Sequence, residues 1–181
     1  MPVRGWIVTA TLAAAIIVLG VAPFLAREAA RLPFPGFFAE PTYNPMNIGD
    51  QEWPFDTSSV YLVAIDGRPL QDTHDLGEVL AAHQVGDELS VRVQEVGRSV
   101  ERETTVRLKP LPARDLTNFF IFPYVLGLIY LVFGIWVFLA RRYESGARAF
   151  AMLCALIAVA LALIFDLYTT HRLVRVWIVA V

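Results

Sequence analysis

Long uncharged apolar runs divide this chain, with one stretch of mixed polar and apolar residues between the first and the second. Trp6–Ala26 carries no charge and follows Arg4; Leu116–Ala140 and Ala149–Phe165 are likewise uncharged, and Asp166 closes the last. A helix rises about 1.5 Å per residue, so runs of this length reach across a hydrocarbon core of about 30 Å. A cleaved signal peptide is the rival for the first run. Its apolar core usually spans only about 7–15 residues, and Phe24-Leu25-Ala26 makes a poor small-residue cleavage site. The pattern predicts an N-terminal transmembrane anchor over 1–30, a folded domain over 31–112 and a second span over 113–140. A loop over 141–148 and a third span over 149–168 follow, then the start of a fourth over 173–181. Nine residues of helix cover less than half the bilayer, so the chain is expected to continue beyond Val181.

Inside the mixed stretch the periodicity changes. Val60–Ile65 is a short β-rich run closed by the turn pair Asp66-Gly67. Asp72-Thr73 offers capping side chains for a helix over Asp75–His83, where Leu76, Val79, Leu80 and His83 share helical spacing. Leu89, Val91 and Val93 alternate with Ser90, Arg92 and Gln94, the mark of a half-buried strand. Past Gly97, Thr104, Val106 and Leu108 fall on one face of a partner strand. Strand, helix, strand, strand is an α+β order. Between Arg27 and Asp56, Pro33, Pro35, Pro41, Pro45 and Pro54 forbid a long helix. The aromatics there, Phe34, Phe37, Phe38, Tyr43, Trp53 and Phe55, are expected to pad a core, sit at headgroup level or line a site.

Charge adds a direction. The 181 residues are 56% hydrophobic with a formal net charge of −2, and no basic stripe of the kind that binds nucleic acid is present. Arg4 and the Arg141–Arg148 loop are the basic flanks of the spans, and two spans separate them. The positive-inside rule places both in the cytoplasm. The acidic domain between the first two spans is then expected to be extracytoplasmic, on a chain held in the cytoplasmic (inner) membrane.

Catalytic chemistry finds no footing within these residues. His74, His83 and His171 form no H-E-x-x-H, and there is neither a G-x-S-x-G elbow nor a phosphate-cradling glycine loop after a strand. The single Cys154 lies in an apolar run and reads as packing. No cofactor or metal site is expected. Asp166, His171 and Arg172 adjoin the end of the third span and are expected as a polar cluster at the membrane interface.

Val63–Leu70, then Asp75-Leu76, Val85-Gly86-Asp87 and Leu89–Val93, resemble the second half of a bacterial PDZ domain, and the likeness covers Val60–Pro110. The resemblance implies a peptide groove between a strand and the helix, with Leu76, Val79 and Leu80 as helix contacts. It also implies a glycine-containing loop that receives a terminal carboxylate, here Gly36, Phe37 and Phe38. The segment Pro41–Asp56 departs from that family and is a candidate to fill the groove from within. One anchor, a PDZ-like domain and a multi-span block together resemble the N-terminal region of bacterial membrane sensors such as histidine kinases. The expected partners are the lipid bilayer and a peptide or protein at the groove; a homodimer is compatible. The competing classes are a non-catalytic scaffold or accessory subunit, and the regulatory part of a membrane protease.

Overall fold

A computed structural model describes residues 5–42, 45–47, 60–70, 75–95, 97, 100–173, 175–176 and 178. The chain divides into two compact units. One contains Arg27–Leu116 with Asp166–Arg172; the other contains Met1–Ala26, Thr117–Phe165 and Leu173–Val181. The α+β mix and the apolar helices expected from the patterning are both present.

Three helices among the described residues are long and apolar enough to cross a membrane. They are α1 (Gly5–Ala29), the run Ala113–Ala140, and α5 (Ser145–Tyr168). The middle run is built of three pieces: a short α3 (Ala113–Leu116), a π-helical turn (Thr117–Ile121) and α4 (Phe122–Ala140). In α1, Val8, Leu12, Ala15, Leu19 and Ala22 are buried in steps of three and four, a single stripe. In α5 the buried positions are mostly small: Ala151, Cys154, Ala155, Ala158 and Ala162. Small residues let helix backbones approach closely where lipid offers no hydrophobic gain for association. Gly127 and Gly134 of α4 meet that stripe, since a Cβ on Gly134 would lie 2.7 Å from the Cys154 Cβ. The Tyr124 hydroxyl, inside an apolar helix, donates to the Leu19 carbonyl at 3.1 Å. Large apolar side chains on the remaining faces, Trp6, Phe24, Phe133, Trp136 and Leu139 among them, are exposed.

The other unit carries a four-stranded antiparallel sheet in the order β4-β3-β5-β6, from β3 (Val60–Ile65), β4 (Arg68–Pro69), β5 (Glu88–Glu95) and β6 (Glu101–Arg107). Asp66 and Gly67, with φ of 48° and 73°, form the two-residue turn between β3 and β4. Positive φ at both central residues is what the right-handed twist of a hairpin requires, and Asp-Gly adopts it readily. A bulge at Val63 shifts the β3–β5 register between Leu62 and Ala64, so that Ala64 and Ile65 are both buried although adjacent. Leu89, Val91 and Val93 of β5 are 0%, 0% and 1% exposed. They form one core with Leu76, Val79 and Leu80 of α2 (Asp75–Ala81). Each such side chain contributes about 1.5–3 kcal/mol by leaving water.

The helix α2 ends at Ala81, two residues short of the sequence expectation. The Ala82 and His83 amides turn back onto the Val79 and Leu80 carbonyls in a tighter winding. Ahead of β3 lies a separate pair, β1 (Phe37–Ala39) and β2 (Pro45–Asn47), antiparallel with Phe38 opposite Met46. Phe34 precedes it and exchanges both backbone hydrogen bonds with Lys109, at 2.7 and 2.9 Å. Most of the Pro41–Asp56 segment, His74, and most of the expected fourth-span start lie outside the described residues.

Candidate functional site

Four of the six groove candidates from the sequence line one cavity between β1 and α2. Phe37 and Phe38 line it from β1, and Leu76 and Leu80 from α2. Val79 packs in the core of the same domain and lines a neighbouring depression with Arg68, Pro69 and Leu70. Gly36, at φ 91°, is the left-handed step from which the chain enters β1. Phe37, Phe38 and Ala39 are strand residues paired with β2 rather than an open loop. Their side chains are 2%, 3% and 1% exposed, and Phe38 stacks obliquely on Phe34 at 5.1 Å.

The cavity has another wall, which the sequence did not suggest. Tyr168 and Thr169, at the end of α5 and just past it, line it opposite Leu76 and Leu80. Two residues on, the His171 Nε2–H donates to the Ala39 carbonyl at 2.8 Å. Thr170 and Arg172 border a second depression with Gly77, Glu78 and Ala81 of α2. The segment after α5 therefore runs along α2 and is fastened to β1. What remains open is a volume of ≈ 40 Å³, room for a few waters and not for a peptide side chain.

The cluster Asp166, His171 and Arg172 builds this segment. Asp166 ends the uncharged run, and the helix runs on to Tyr168, where the third span is expected to end. Asp166 is 4% exposed and His171 3%. The Asp166 carboxylate accepts from the Thr170 hydroxyl and from the Arg172 amide at 3.3 Å. Its backbone carbonyl accepts from the His171 amide at 2.8 Å. These bonds turn the chain through His171, whose φ of 56° is left-handed, a region that side chains with a Cβ rarely occupy. Arg172 reaches Glu28 through two nitrogens, at 2.7 and 2.8 Å. Half-exposed as that pair is, it contributes little, about 0–1 kcal/mol. Fastening of the segment rests on the buried imidazole.

A second polar contact ties α2 to the sheet. The His83 Nδ1–H faces the Val79 carbonyl at 2.8 Å, and Nε2 faces Asp66 Oδ2 at 2.8 Å. Asp66 is held in turn by the Ser90 amide at 2.9 Å. Both ring nitrogens meet acceptors, so only the imidazolium satisfies both. The Val79 carbonyl, then Asp66 and Asp87, hold the His83 pKa above its ordinary value, with burial opposing them. A raised folded-state pKa stabilises fully below the unfolded value of about 6.5 and is lost as pH rises through the folded one. The melting temperature of the domain should therefore fall between pH 6 and pH 8.5. His83→Gln should flatten that slope, and an unchanged slope in the variant would assign it elsewhere.

Among the described residues no cluster of His, Cys, Asp and Glu is placed to hold a metal ion. The site offers backbone hydrogen bonding and an apolar trough. Compared with known proteins, the chain matches no family model, no curated protein and no solved structure.

Proposed function

We propose that this chain is the membrane-embedded input region of a bacterial signal-transduction protein, whose α+β domain is an extracytoplasmic PDZ-like module that takes a peptide or protein partner. The observation that carries the reading is the groove between β1 and α2, which accommodates a chain segment continuous with the membrane-type helix α5. An incoming chain terminus has the same surfaces to use: β1 as a strand to add to, and Leu76 and Leu80 as an apolar wall. It must displace Tyr168–Arg172 to do so. Ligand binding then changes how the end of α5 is held, and a ligand shifts an equilibrium by its differential affinity for the two states. The basic flanks Arg4 and Arg141–Arg148 support a domain on the outer face.

A non-catalytic scaffold is favoured by one feature, the small volume left in the groove: a segment that never leaves makes the domain a fixed brace. Peptide titration separates the two. His171→Gly removes the imidazole that fastens Ala39 while keeping, and relaxing, the left-handed turn. Full-length protein in nanodiscs, titrated with a library of peptides bearing free C-termini, should bind more tightly in this variant by about tenfold, the worth of one buried hydrogen bond. An amidated library should bind less well. Equal, amidation-insensitive or undetectable binding in both proteins would leave the domain as a brace.

A further inference from the structure

In the helical unit, a shallow, open depression of ≈ 400 Å³ lies where α1 begins and α4 turns into α5. Gly5, Thr9, Phe138, Arg142, Tyr143 and Arg148 line it. The turn is stapled from within. Arg148 Nε donates to the Arg142 carbonyl at 2.8 Å, and its Nη2 donates to the Tyr143 carbonyl at 3.0 Å. Arg142 lies 4.8 Å above the Tyr143 ring and donates to its hydroxyl at 2.7 Å. Glu144, the acid of this turn, faces Arg141 at 3.5 Å, and among the described residues the partners of Arg142 are uncharged. Two guanidinium groups are thus held at a depression whose other walls include the Phe138 and Tyr143 rings. Trp6, Trp136 and Tyr143 are 66%, 65% and 79% exposed at this end of the helices, where aromatic rings mark the level of lipid headgroups.

A fixed guanidinium pairs well with phosphate oxygens, and basic pockets between membrane helices suit anionic headgroups. An apolar wall beside the cations suits a phosphate that carries a hydrocarbon tail. We propose that this depression binds an anionic phospholipid, its phosphodiester between Arg142 and Arg148 and its first acyl carbons along Phe138. A zwitterionic lipid offers the same phosphate but brings its own cation to the two arginines, so it binds less tightly. The inference rests on the helices lying in a bilayer; it is independent of the groove.

The test uses the full chain in neutral detergent, with bound lipid read by native mass spectrometry. Phosphatidylglycerol should be retained about fivefold or more over phosphatidylcholine, the weight of one well-placed basic residue. Arg142→Gln, which leaves the Arg148 staple in place, should remove that preference. Arg141→Gln, whose side chain faces Glu144 and does not line the depression, should keep it. Equal retention of both lipids, or an unchanged preference in Arg142→Gln, would overturn the proposal. Inorganic phosphate competing as well as phosphatidylglycerol would overturn its lipid part. Release of the protein from membranes by alkaline wash would overturn the bilayer reading, and this site with it.

Discussion

Replacing Gly134 by leucine should lower the melting temperature of the detergent-solubilised protein by about 10 °C or abolish its monodisperse form. A fall of that size corresponds to about 3 kcal/mol in a chain of this length, the upper end of the usual cost of overpacking. The reason is distance. A Cβ at position 134 would stand 2.7 Å from the Cys154 Cβ and 3.3 Å from the Ala151 carbonyl oxygen. The nearest of those atoms is a Cβ and the next is backbone, so no side-chain rotation relieves the clash and α4 must move off α5. Gly127, two turns earlier, is tight against the Ala158 carbonyl at 3.1 Å and should tolerate alanine poorly. Gly20→Leu is the matched control, since nothing lies within 4 Å of its Cβ. A Gly134→Leu protein that melts with the wild type would mean that α4 and α5 do not meet there.

Leu80→Asp should unfold the α+β domain while the apolar helices persist. Leu80 is 7% exposed and belongs to the core that α2 shares with the sheet. Truncating such a leucine costs about 2–5 kcal/mol, and a carboxylate in its place adds the penalty of an unpaired buried charge. The sum is comparable to the whole stability of a small domain, about 5–15 kcal/mol. Limited proteolysis of the full chain should then cut within Val60–Leu108 and spare α4 and α5. Leu80→Met, close in volume, should behave as wild type. Resistance of Leu80→Asp to protease would place position 80 at a surface.

The two substitutions probe parts of the chain that differed in how openly they wrote themselves into the sequence. Leu89, Val91 and Val93 announce their strand because one face of β5 is buried and the other is not, so burial appears as period two. Asp66-Gly67 announces its turn because few other pairs accept two left-handed residues. Phe37, Phe38 and Ala39 are buried alike, so β1 has no alternation to read and looks like a loop between prolines. Asp166 reads as the end of the uncharged run because a carboxylate is costly in lipid; its bonds to Thr170 and Arg172, which turn the chain beyond the helix, leave no mark in the pattern. The contact of His171 with Ala39 joins residues far apart in the chain, and a single long-range hydrogen bond leaves no periodic trace. Gly127 and Gly134 are visible as glycines, but only the facing Ala151, Cys154 and Ala158 give them a task.

Phe34 and Lys109, by exchanging both of their backbone hydrogen bonds, bring the start and the finish of the α+β domain to one point. Paired residues of this kind sit about 5.5 Å apart, little more than one link of chain. To the flanking segments the domain is a bead on a clasp: its surface loops can be lengthened while the clasp stays shut. The entropy of closing such a loop grows only with the logarithm of its length, so a larger bead would strain the clasp hardly more than a small one. A gene encoding this architecture can take insertions between the codons for Phe34 and Lys109 without opening the clasp.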